Sequence, residues 1–121
     1  MMLSQVRAEL DALRSTVARK DAALIDLLLE RITTWRRDQT TASQLMSDLA
    51  RTLSERSNDQ QHAKALRILE SFRPTVASLG GMTMNERLVM FELMDDWDGS
   101  SLDDRAGLYT KLEAKPLRLS R

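Results

Sequence analysis

Apolar residues fall at Leu3, Val6, Leu10, Leu13, Val17, Leu24 and Leu27, alternately three and four positions apart, with Lys20 as the polar interruption of the series. Such spacing marks an α-helix with one apolar seam of heptad type, and it predicts a single long helix from about Leu3 to Arg37. The seam needs another helix to cover it, and a second copy of the chain is the expected first partner, giving a homodimer through helix 1. The polar stretch Asp38-Gln39-Thr40-Thr41 ends the run. Thr41-Ala42-Ser43-Gln44 then fits a capping box, in which Thr41 accepts from the Gln44 amide while Gln44 reaches back. Leu45, Met46, Leu49 and Leu53 form the apolar stripe of the helix it opens, which closes near Arg56.

Ser57-Asn58-Asp59-Gln60 offers a further helix start, followed by Ala65, Leu66, Leu69 and Phe72 at helical spacing until Pro74 terminates the run. Gly80-Gly81 separates this three-helix segment, residues 1–79, from a C-terminal piece, residues 82–116. There Thr83-Met84-Asn85-Glu86 repeats the capping box, and Leu88, Phe91, Met94 and Trp97 share one helical face. Asp98-Gly99 makes a turn, and Ser101 with Asp103 and Asp104 starts a last helix that carries Leu108, Tyr109 and Leu112 and closes near Ala114 and Pro116. The expected fold is all-α: a long N-terminal helix, two shorter helices and a C-terminal helical hairpin, as one compact domain or a closely packed pair.

Composition agrees with that pattern. The chain has 121 residues, with 42% hydrophobic, 30% charged and only 4% aromatic residues, the profile of a helical protein rather than of a sheet. Eighteen basic residues against 18 acidic ones leave no global basic field, so nucleic acid is not an expected partner. Cysteine is absent, which removes disulfides and thiolate metal sites. There is no apolar run of membrane-spanning length and no basic stretch followed by an apolar signal core, so no membrane partner is expected and a cytoplasmic location is.

One resemblance carries chemistry. Leu10-Asp11-Ala12-Leu13-Arg14, with Val17, Asp21, Leu24, Ile25, Leu27, Leu28, Glu30 and Arg31, resembles the first helix of AroQ-type chorismate mutases over about a fifth of the chain. That family converts chorismate to prephenate in an intertwined all-helical dimer without a cofactor. The resemblance implies that Arg14 and Arg31 hold the two substrate carboxylates, a task suited to the planar, permanently charged guanidinium. Asp48 and Arg51 match an acid and an arginine of the family's second helix, with Thr52 standing where the family has glutamate. On one helix Arg14 and Arg31 would lie roughly 25 Å apart at about 1.5 Å per residue, so a shared substrate requires two antiparallel copies. The C-terminal piece, through Asn85-Glu86-Arg87-Leu88 and Met94-Asp95-Asp96-Trp97-Asp98, also resembles small bacterial proteins of unknown function.

The same residues have structural roles open to them. Arg14 can flank the seam, and Arg31 can lay its stem over leucines while pairing with an acid. Lys20 can set register, and Asp21 can cap or pair within the bundle. Asp95, Asp96, Asp98, Asp103 and Asp104 form an acidic cluster that suggests a cation or a basic protein, but Ser101 and Gly107 fall where an EF-hand needs its glycine and glutamate. Solvated helix ends, with Arg105 and Lys111 nearby, are the simpler account. His62, the only histidine, cannot build a metal or nucleophile site alone. Met82, Met84, Met90 and Met94 with Phe91 and Trp97 form either an adaptable binding face or the core of the hairpin. The leading expectation is a non-enzymatic interaction module working by helix packing on another protein, with no cofactor and no metal; a divergent or degenerate mutase is the alternative.

Overall fold

The structure is a computed structural model that describes residues 1–56 and 60–114, without the side chains at 20, 21, 56 and 60–62. The helix start expected at Ser57-Asn58-Asp59, the Lys20, Asp21 and His62 side chains and the stop at Pro116 therefore lie outside the described residues. Among the described residues seven α-helices follow in order: α1 (Leu3–Arg14), α2 (Arg19–Trp35), α3 (Ala42–Arg56), α4 (Gln60–Ala77), α5 (Met84–Met90), α6 (Met94–Asp98) and α7 (Leu102–Lys111), with a single 3₁₀ turn at Leu79–Gly81. No strand occurs among the described residues.

The long first helix does not form; it is replaced by a hairpin of α1 and α2. Ser15 donates its Oγ proton to the Asp11 carbonyl at 3.2 Å and Thr16 donates to Leu13 at 2.9 Å, drawing the last carbonyls of α1 into local bonds that compete with helix continuation. Ala18 is extended, at φ −65° and ψ 155°, and α2 starts in a new direction. The break also shifts the apolar phase. Leu3, Val6, Leu10 and Leu13 face the core from α1, but on α2 the buried stripe is Ile25, Leu28, Ile32 and Trp35, while Leu24 and Leu27 sit half-buried beside it.

α1 packs on α2 and α4, and α3 packs on α2 and α4, so the four form a closed up-and-down bundle. The ring is tied at Met1, whose amino group donates to Thr75 Oγ1 at 2.9 Å while Thr75 donates back to the Met1 carbonyl at 2.6 Å. α3 opens on the expected capping box, with Thr41 N–H on Gln44 Oε1 at 2.7 Å and Gln44 N–H on Thr41 Oγ1 at 3.2 Å. Pro74 does not end α4, which continues to Ala77. It falls one turn from the helix end on the exposed side, where a carbonyl without its helical donor can be solvated.

The C-terminal hairpin resolves into three short helices that cap one end of the bundle. Thr83 and Glu86 form the expected capping box at α5, and Ser101 accepts from Asp104 N–H at α7. What splits the expected hairpin helix is a left-handed residue, Glu92, at φ 58°. It completes a Schellman stop, with Leu93 N–H on the Leu88 carbonyl at 2.8 Å. Glu113, at φ 57°, closes α7 in the same way through Ala114 N–H on the Tyr109 carbonyl at 2.8 Å. Bundle and cap share one core: Phe91 is fully buried, with its ring 5.6 Å from Trp35 and 5.5 Å from Phe72.

Candidate functional site

The residues expected to form a self-association seam are used inside the chain. Leu3, Val6 and Leu10 are fully buried and Leu13 nearly so, while Val17 and Leu24 keep partial exposure at the edge of the same core and Leu27 lines a cleft beside it. The α1 part of the seam expected to hold a dimer is thus covered by α2 and α4 of the same molecule. The mutase-like residues separate as well. Arg14, at the end of α1, chelates the Asp26 carboxylate through Nε and Nη2, the latter at 3.2 Å. Arg31 and Asp48 line a 240 Å³ cleft between α2 and α3 together with Glu30, Asp38 and Trp35, and Arg14 is not among its walls. Arg51 turns to Asp48, its neighbour three residues back on α3. Within the chain the two arginines therefore do not face a common space, because the break at Ser15 puts them on different helices.

Two cations that look like ordinary helix-surface charges in the sequence hold the cap in place. Lys111 is 5% exposed and lies over the Trp35 ring, 4.3 Å from its centroid. Its ammonium donates to the Trp35 carbonyl, to the Thr40 carbonyl at 3.2 Å and to Asp38 Oδ1 at 3.3 Å, so the end of α2 is closed by a side chain from α7. Arg87, also buried, donates from Nε to the Met82 carbonyl at 3.2 Å and from Nη1 to the Leu112 carbonyl at 2.9 Å, binding the start of α5 to the end of α7. From the same end of the cap, Glu113 accepts from Ser43 N–H at 2.7 Å and Ser43 Oγ at 2.6 Å at the first turn of α3.

This junction predicts an acid response. Burial acts to raise the Asp38 pKa, but it is outweighed by donation from the Thr40 hydroxyl and amide and from Lys111, so the carboxyl lies below its ordinary range. A depressed folded-state value means stability that is complete above the unfolded aspartate value, about pH 4, and is lost as pH falls through the lower folded value. Asp38→Asn should flatten that part of the acid limb in urea midpoints measured from pH 5 to pH 2, taken as about one unit above to two below the unfolded value. An unchanged limb would assign the loss to other carboxylates.

The remaining surface feature is on α5. Its inner side carries Leu88 and Arg87, while Val89 is 46% exposed and, with half-buried Met82 and Met90, floors a 320 Å³ groove bordered by Asn85 and Glu86. The residues of this set so divide between the two sequence expectations: Phe91 is core, and Met82, Met84, Met90, Met94 and Trp97 lie against the core with part of their surface outside. Around this groove the charge is one-sided. Residues 82–114 hold eight acids and three bases, an imbalance hidden in the chain's net zero. Among the described residues no three acidic or histidine side chains are grouped so as to hold a metal ion, and no helix is long and apolar enough to cross a membrane. No protein family, curated protein or solved structure matches the chain.

Proposed function

We propose that this protein is a non-enzymatic helical interaction module, an adaptor, regulator or inhibitor that acts on another protein by packing against it. The observation that carries the reading is the apolar face of α5, where Val89 keeps 46% of its surface between Met82 and Met90. Leu66 and Leu102 are also exposed, but singly, outside the grooves described here, and isolated apolar residues are normal on a folded surface. A contiguous apolar floor is different, because it is stabilised when another surface covers it. The base beneath it is rigid. A capping box fixes the start of α5, a Schellman stop fixes its end, and Arg87 and Leu88 anchor its underside. Methionine side chains then supply an adaptable layer on a fixed backbone.

Photo-crosslinking tests this. A benzoylphenylalanine placed at Val89 should give discrete protein adducts in cell extract, absent from the same probe at exposed Ser71 on α4 and suppressed by Met90→Glu. Adduct patterns that are the same at the two positions would overturn the reading.

A further inference from the structure

The chemistry of the partner follows from what borders the α5 face, and this inference rests on that face being the docking surface. A second groove of 330 Å³ meets the first at Val89 and runs past Met94 to Asp95 and Arg36. From Asp95 and Arg36 a 640 Å³ cleft continues to Asp96 and Asp104. An apolar floor thus passes into a trough with Asp95, Asp96 and Asp104 on its cap side and Arg36 and Arg37 on its bundle side.

The cap's own cations form no ion pair with its carboxylates among the described residues. Arg87 and Lys111 are buried on main-chain carbonyls, and Arg105 lies over the Trp97 ring, 4.7 Å from its centroid, with Nε on Ser100 Oγ at 3.3 Å. The bundle supplies partial compensation through Arg36 to Asp96 at 3.4 Å, Arg7 to Glu92 at 3.3 Å and exposed Arg37 on the cleft wall, three cations against the five-charge excess of acids in residues 82–114. Asp95, Asp98 and Asp103 make no ion pair among the described residues. Complementary potential selects partners and steers their approach, and here it favours positive charge and opposes phosphate-rich surfaces.

We propose that the α5 groove and the acidic trough beyond it bind an amphipathic helical segment of another protein, with its apolar side chains on Met82, Val89 and Met90 and its lysines or arginines along Asp95 and the neighbouring carboxylates. The segment needs apolar anchors at helical spacing and basic residues on its flank.

The probe is a fluorescent synthetic helix with leucines on one face and lysines on the other, compared by anisotropy with a twin carrying glutamate at every lysine position. The full chain should bind the lysine peptide at least about tenfold more tightly than the twin, with affinity falling as salt rises. Val89→Glu is the decisive variant. It adds negative charge, so diffuse attraction of a basic peptide would tighten, whereas loss of the groove should weaken binding by about tenfold; Ser71→Glu on α4 should leave it unchanged. Equal binding of the twins, or unchanged or tighter binding by Val89→Glu with an intact circular dichroism spectrum, would overturn the proposal. So would binding that appears only after residues 115–121 are removed, because that segment, with Leu117, Leu119 and three basic residues, would then be the occupant. Crosslinks at Val89 without peptide binding would leave the interaction module standing and remove the basic partner.

Discussion

Phe91→Ala is expected to lower the stability of the protein by about 3–5 kcal/mol, the largest effect of any single truncation considered. The ring is fully buried and fills the space where the cap meets the bundle, against Trp35 from α2 and Phe72 from α4. Tilted and edge-on aromatic contacts add to the area term. Trp35 is not free to collapse into the void, since it is pinned by its indole N–H on the Thr41 carbonyl at 3.1 Å. Truncation at this point removes contacts of cap and bundle together. Urea unfolding followed by circular dichroism should show a midpoint shift in one transition, and Leu66→Ala on α4, 37% exposed in the parent, should shift it little. A Phe91→Ala loss below about 1 kcal/mol would mean that the cap is not part of the common core.

Lys111→Met is expected to cost about 2 kcal/mol despite keeping the length and apolar stem of the side chain. The loss comes from the Trp35 and Thr40 carbonyls, which have the ammonium as a shared donor at the end of α2. Asp38, more than a third exposed, recovers hydration and adds little. Part of the cost is offset. Burial is the main influence on Lys111 and lowers its pKa, with Asp38 opposing, so the charged form is held in the fold at some expense. The sign of the alkaline response follows from this. Between the depressed folded value and the ordinary lysine value of about 10.4, the unfolded chain binds more protons than the folded one, so Lys111's contribution to stability grows with pH there. The Met variant should lack that increment in denaturation series run toward pH 10. A melting temperature equal to the parent's at pH 7 would show that solvent replaces the ammonium at both carbonyls.

How much of this was legible in the sequence differs from element to element for physical reasons. Capping boxes are local, so Thr41 with Gln44 and Thr83 with Glu86 could be read directly, as could the Ser101 cap and the helices they start. The break after Arg14 could not, since the three-and-four spacing happens to continue through Ser15-Thr16-Val17 with no glycine or proline to mark it. That continuity concealed the phase change to Ile25, Leu28, Ile32 and Trp35, and with it the fact that the seam is covered from within. The stop at Glu92 was hidden because a left-handed helix end usually announces itself by glycine. Lys111 and Arg87 gave no sign of burial either, as a cation on an amphipathic helix looks solvated until its acceptors, here mostly main-chain carbonyls, are known. The acidity around α5 was countable, but only once the segment to count had been defined.

Glu92 and Glu113 tie helix termination in the cap to the bundle. A non-glycine residue in the left-handed region carries a backbone penalty, here met twice by glutamate. Each carboxylate reaches back to the bundle, Glu92 to Arg7 on α1 and Glu113 to Ser43 on α3. These compensations exist only when the four long helices are already in place. Helices of seven, five and ten residues are too short to persist alone in water. The bundle therefore supplies the partners that hold the ends of α5 and α7, so the acidic face depends on the bundle being folded.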